Sequence, residues 1–228
     1  MFKKTLLTGI VLAALPILMI SCSDDDNPTN PTAKANVMVV HASPNAPAVD
    51  LLVDNAVAGS GLAFPSNTAY LPVDAGTRNV KVNVAGTSTT VINADLPLTA
   101  STNYTVFAVD SVSKISTVVL TDNLAAPAAG KAHVRFVHLS PNAPAVNITL
   151  TNGTIVFGNR AFKQGTDFTP LDAGTYDLQV RDAATNNAVV LNLPGITLAA
   201  GKIYTVFAKG FLGGITAQAL GAQIIVNN

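Results

Sequence analysis

His41-Ala42-Ser43-Pro44-Asn45-Ala46-Pro47-Ala48-Val49 returns 97 residues later as His138-Leu139-Ser140-Pro141-Asn142-Ala143-Pro144-Ala145-Val146, identical at eight of nine positions. Two further phrases recur in the same order. Asp74-Ala75-Gly76-Thr77 is matched by Asp172-Ala173-Gly174-Thr175, and Tyr104-Thr105-Val106-Phe107-Ala108 by Tyr204-Thr205-Val206-Phe207-Ala208. Ordered matches whose spacing drifts by only three residues indicate a tandem duplication of a unit of about one hundred residues, a usual single-domain size. The units are read as 35–125 and 131–228. The connector contains Pro127 and Gly130, which break regular structure, and its brevity predicts two units set end to end.

Within each unit the hydrophobic period is two. Arg78-Asn79-Val80-Lys81-Val82-Asn83-Val84 places three valines on one face and Lys81 and Asn83 on the other. Strand-like runs cover Val37–Val40, Val49–Val53, Val80–Val84, Thr89–Ile92, Tyr104–Val109 and Ile115–Leu120, each bounded by turn formers. No stretch beyond the N-terminus carries a helical stripe. Six to eight short strands per unit predict an all-β chain of two tandem antiparallel β-sandwiches, immunoglobulin-like or transthyretin-like. Asp172-Ala173-Gly174-Thr175-Tyr176 resembles a tyrosine corner, in which the tyrosine hydroxyl ties the chain back to backbone. The first unit departs from it with Arg78.

Composition narrows the function classes. The 228 residues balance 13 Lys+Arg against 13 Asp+Glu, and only 11% are charged. A neutral chain without a basic block does not suit nucleic acid, where affinity comes mainly from neutralised phosphates. Every acidic residue is an Asp, and neither Glu nor Trp occurs.

The N-terminus reads as an address. Lys3 and Lys4 precede an apolar run from Leu6 to Ile20, the order of a secretory signal over residues 1–21. As a helix that run would span roughly 22 Å, short of the ~30 Å hydrocarbon core. Met19-Ile20-Ser21-Cys22 resembles a bacterial lipobox, which implies diacylglycerol on Cys22, cleavage after Ser21 and acylation of the new amino terminus. Two or more acyl chains give the stable anchoring that one chain does not. Cys22 is the lone cysteine, so the mature protein has no disulfide. Residues 22–34 read as an acidic, Pro-rich tether of at most ~40 Å. Ser23-Asp24-Asp25-Asp26 resembles the export signal that sends lipoproteins to the outer face of the outer membrane, which places the protein there, exposed at the cell surface.

The His-x-Ser-Pro-Asn-Ala-Pro-Ala-Val phrase, followed by Asp50-Leu51-Leu52-Val53-Asp54, an Ala-Gly-Thr turn and a Tyr-Thr-Val strand, closely resembles the signature of domain of unknown function 4397. That resemblance implies a β-rich fold in secreted and lipid-anchored proteins, and implies no activity.

The repeated motif offers His41, Ser43, Asn45 and Asp50, and in the second unit His138, Ser140 and Asn142, as structural or binding residues. A hydrolase would use His41 and Ser43, with Asp50 orienting the imidazole. Against this, a serine two positions from its base on one extended backbone faces awkwardly for proton transfer, and Asn147 replaces Asp50 in the second copy. A histidine buried at a strand end, bonding the Ser-Pro-Asn-Ala turn that follows, explains both copies. Asp50 and Asp54 share a strand face and could form a weak calcium site, whereas His133 and His138, five residues apart, face opposite ways. Asp110-Ser111-Val112 looks like an O-glycosylation acceptor. No Gly-rich phosphate loop or zinc motif occurs, and no cofactor is expected. The expectation is a non-catalytic, lipid-anchored surface module for an extracellular glycan or protein ligand, with a structural spacer of an envelope complex and a hydrolase as the alternatives. Loops at a sandwich end would make the contact, and two copies could add avidity.

Overall fold

The computed structural model describes residues 32–185 and 188–228. The lipobox cysteine Cys22, the acidic triplet and the leader lie outside them. Thr32–Asn228 forms one compact unit. Its strands are β1 Lys34–His41, β2 Val49–Val53, β3 Ala56–Leu62, β4 Leu71–Asp74, β5 Gly76–Val84, β6 Thr90–Leu98, β7 Asn103–Val109 and β8 Ser116–Asp122. The second repeat supplies β9 Lys131–His138, β10 Val146–Leu150, β11 Ile155–Arg160, β12 Thr169–Asp172, β13 Gly174–Asp182, β14 Val189–Leu198, β15 Ile203–Lys209 and β16 Gly221–Val226. Among the described residues the only helical turns are two of three residues each, Val112–Lys114 and Thr216–Gln218.

Each repeat is a sandwich of two four-stranded sheets. The inner sheets run β4-β1-β7-β8 and β12-β9-β15-β16; the outer sheets run β3-β2-β5-β6 and β11-β10-β13-β14. The chain is thus all-β, as the period of two predicts. One detail differs from an antiparallel sandwich: β1 pairs β7, and β9 pairs β15, in parallel. The prolines within strands, Pro72, Pro97, Pro170 and Pro194, all fall on edge strands, where a missing N–H breaks no ladder.

Three apolar clusters hold the unit together. One fills the first sandwich around Val37, Val39, Leu51, Val82 and Val106; a second fills the other around Val134, Phe136, Ile148, Val180 and Val206. The third joins the repeats: Met38, Val40, Phe107 and Val109 meet Val137, Leu139, Phe207 and Ile225. Alternate residues of β1 and β7 therefore serve two cores. The sandwiches pack side by side through their inner sheets, and the expected end-to-end arrangement is corrected. Phe107 and Phe207, equivalent by the repeat, meet edge to face at 5.9 Å.

A buried polar network crosses the same interface. Arg135 pairs with Asp122 at 2.6 Å, with side chains 2% and 0% exposed. Arg135 also donates to Thr205 and Thr105, and its guanidinium lies over the Phe168 ring. Asp122 accepts from Thr105 and Tyr70, and Asn227 donates to the Tyr70 hydroxyl. Burial lowers the pKa of the guanidinium, and the Asp122 charge opposes that shift.

Thr105 contacts Arg135 near the start of β7, Phe107 meets Phe207 in the middle, and at the far end Asp110 lies 3.9 Å from Lys163 while Lys209, the last residue of β15, covers the Phe64 ring. Levels match along both inner sheets, so corresponding strands run the same way. The two repeated motifs therefore come to the same end of the unit.

Candidate functional site

The motif begins where β1 and β9 end, at a turn that must be tied down. His41 and His138 are fully buried, and each ring Nε2 lies 2.9 Å from a carbonyl oxygen of the turn, Pro47 O and Pro144 O. The ring nitrogen facing a carbonyl must carry the proton, so each histidine is the neutral Nε2–H tautomer and donates. Burial pulls both pKa values below 6.5, the turn hydrogen bond only partly offsetting it. The other ring nitrogen meets no further polar group among the described residues.

Ser43 and Ser140 are equally buried, and their hydroxyls donate to Asp110 O at 2.6 Å and Gly210 O at 2.7 Å. Among the described residues no hydrogen bond joins His41 to Ser43 or His138 to Ser140; each hydroxyl proton points to a neighbouring loop. Asn45 accepts from Val112 N at 2.9 Å. Asn142 makes a two-way clasp, donating to Leu212 O and accepting from Leu212 N. The histidine thus ties the motif turn to itself, and the serine and asparagine bind it to the β7–β8 and β15–β16 loops.

Asp50 sits on β2, away from both. Its carboxylate accepts from Gly61 N and Gly86 N, both at 2.8 Å, and these bonds, Gly86 first, lower its pKa. Asn147 takes the equivalent place and accepts from Asn159 N at 2.7 Å. Asp54, the other member of the calcium candidate, accepts from Asn79 N and pairs with Arg78 at 3.3 Å. Among the described residues no group of three metal-ligating side chains converges.

The other repeated phrases are structural in the same way. Tyr104 and Tyr204 accept through their hydroxyls from Thr99 N and Ala199 N, closing the turn before β7 and β15. The tyrosine corner is present in the second repeat, where Tyr176 donates to Asp172 O at 2.8 Å. In the first repeat Arg78 replaces it: its guanidinium donates to Asp74 O at 3.0 Å and Ala75 O at 2.6 Å.

The clasped loops expose three aliphatic side chains beside the polar Ser113, Lys114, Thr216 and Gln218. Ile215 is 76% exposed, Leu212 43% and Val112 39%. The 210–220 loop is bonded to itself, Phe211 N to Gln218 O and Leu220 N to Phe211 O. Gly210 has φ +79°, and a Cβ there would lie 2.1 Å from the Ala219 carbonyl oxygen, so only glycine fits. The motif named the anchors of these loops, but Leu212 and Ile215, which sit in the Gly-rich stretch Gly210-Phe211-Leu212-Gly213-Gly214-Ile215, carry no signal before the fold is known.

A family model described as a domain of unknown function, DUF4397, matches residues 35–149 and 149–228. No curated protein matches. A solved structure similar to this chain is the C-terminal domain of AlgF from P. aeruginosa, at 19% identity and TM-score 0.33, over 42% of this chain and 98% of that one.

Proposed function

The chain belongs to the DUF4397 family, and from its own residues we propose that it is a non-catalytic binding module, anchored by lipid on Cys22 at the outer surface of the outer membrane. The observation that carries the reading is the pair of motif-clasped loops at one end of the unit, with Val112, Leu212 and Ile215 exposed. Rigid loops that present aliphatic side chains suit recognition of a protein or glycan surface, because little order is lost on binding. Two such loops held in fixed relation by a buried interface allow both to engage one target. The non-catalytic reading draws on the motif: a serine whose proton goes to a backbone carbonyl, and a histidine that is fully buried, offer a substrate neither nucleophile nor base.

The test compares the purified protein with a Val112→Asp/Leu212→Asp/Ile215→Asp variant on glycan and matrix-protein arrays. Retention of a ligand by the wild type, lost in a variant with an unchanged melting temperature, is the expected result. Equal binding by the two, or turnover of ester, peptide or glycoside panels that disappears in a folded His41 and His138 variant, would overturn the reading. Protease shaving of intact cells and mass spectrometry of Cys22 check exposure and acylation.

A further inference from the structure

The two sandwiches are not equally full. Between the sheets of the second repeat lies a cavity of about 310 Å³, whereas the corresponding space in the first is about 10 Å³, less than one water's share. Buried Val134, Phe136, Ile148 and Val206 form its floor, and exposed Thr154 and Ile155 stand at its mouth. None of its lining residues is charged.

The difference has a local cause. In the first repeat β2 and β3 are joined by a two-residue turn, Asp54-Asn55, and the Arg78–Asp54 pair lies across that end of the sandwich. In the second repeat Thr151 and Tyr176 take those places, the Tyr176 hydroxyl is engaged by Asp172 O, and the β10–β11 loop is longer, Thr151 to Thr154. The Arg78–Asp54 ion pair of the first sandwich has no counterpart in the second. Phe136 stands where the first repeat has Val39, and Leu178 where it has Val80, but Thr169 stands where Leu71 lines the space of the first repeat. The opening accompanies the loss of the ion pair, the longer loop and the exchange of Leu71 for Thr169.

We propose that this cavity is a binding site for a single uncharged, unbranched aliphatic chain. An apolar space of this size holds no ordered water, and its walls lose dispersion contacts unless something fills it. At ~30 Å³ per water-sized group its volume corresponds to about ten such groups, the size of a medium-length aliphatic chain. With no cation and no free donor in the walls, a charged headgroup stays outside at the Thr154 and Ile155 mouth. The inference stands apart from the adhesive loops, which belong to different elements.

Methyl-resolved NMR of the purified protein, titrated with n-decanol and separately with monodecanoylglycerol, tests it. Ile148, Ile155 and Ile196 line the cavity, while Leu51 and Leu98 of the first repeat serve as internal controls. Saturable shifts confined to the three isoleucines are expected. Decanol alone binding assigns a free chain, and both binding assigns a chain that enters while its glycerol headgroup remains outside. Leu178→Phe fills the cavity, and Ile155→Asp puts a carboxylate at the mouth of an exposed position where folding is not at risk. Each should weaken binding at least tenfold. Absence of saturable shifts up to the solubility limit, equal shifts in both repeats, or unchanged affinity in Ile155→Asp overturns the proposal.

Discussion

The Arg135–Asp122 pair departs from the internal symmetry of the interface between the repeats, and two substitutions give both positions the residues of their symmetric counterparts. By the repeat, Arg135 occupies the position of Met38, and Asp122 that of Asn227: Thr105 donates to Asp122 as Thr205 donates to Asn227. Arg135→Met leaves a carboxylate buried at 0% exposure without its cation. Losing one partner of a buried pair costs ~3–5 kcal/mol, and a charge pair about 4 Å apart at an effective dielectric of about 20 gives a similar ~4 kcal/mol. Asp122→Asn strands the guanidinium at like cost. The double variant removes both desolvation penalties and gives each half the methionine and asparagine that its sibling already carries. Its stability should return to within ~1–2 kcal/mol of wild type, because a buried pair is nearly neutral against an uncharged replacement. Urea unfolding of the four proteins, followed by far-UV circular dichroism, yields the coupling. High salt should leave it unchanged, since buried charges are weakly screened. Additive losses, or single-variant costs below ~1 kcal/mol, would refute the assignment of the pair as a buried electrostatic clamp.

Other expectations follow from the same structure. Because burial holds His41 and His138 below 6.5 when folded, the unfolded chain takes up protons first as pH falls. Stability is full above about pH 6.5 and declines below it until the folded values are reached. Urea midpoints taken down a pH series should show this fall, and the His41→Gln/His138→Gln double variant should flatten it. Tyr70 behaves oppositely. Its pKa is raised to about 12 by burial and then by the hydrogen bond to Asp122, so stability is full below about pH 10 and drops as pH rises toward 12. Tyr70→Phe should show a smaller alkaline loss in the same assay. Arg78→Ala removes two charge-assisted bonds to the corner carbonyls and should cost ~1–2 kcal/mol at this partly exposed position. Arg78→Tyr should recover part of that in the urea midpoint, as Tyr176 performs the tie in the second repeat.

Much of this architecture was legible in the residues because duplication supplies its own control. The recurrence of the motif separates what both copies keep, the histidine, serine and asparagine, from what one copy changes, Asp50 to Asn147. The structure gives the reason: the kept histidine closes the motif turn, the kept serine and asparagine clasp the neighbouring loops, and Asp50 and Asn147 both accept from backbone on the β2–β3 or β10–β11 hairpin. Two strands of each repeat were not legible. β3, Ala56-Val57-Ala58-Gly59-Ser60-Gly61-Leu62, is exposed and Gly-rich, and β4 carries Pro72, so neither shows the pattern of a half-buried strand. The side-by-side packing left a readable trace that the connector's length obscured. Val37-Met38-Val39-Val40 and Tyr104-Thr105-Val106-Phe107-Ala108-Val109 are almost continuously apolar, the pattern of strands covered on both faces.

That double coverage also links the interface to the loops. β1 and β7 end at the motif turn and the β7–β8 loop, and β9 and β15 do the same in the second repeat. Each is held by one sandwich core on one face and by the shared interface on the other. A strand fixed on both faces cannot shift without disturbing two cores, so the loop anchors Ser43, Asn45, Ser140 and Asn142 adjoin strands held from both sides. The binding role proposed for the two loops calls for such a support, since a hinge between repeats would surrender the fixed spacing on which joint engagement of one target depends. In the outer sheets only one face is packed on a core, and there the two halves have diverged, one closed by Arg78 and Asp54, the other open beside Ile155.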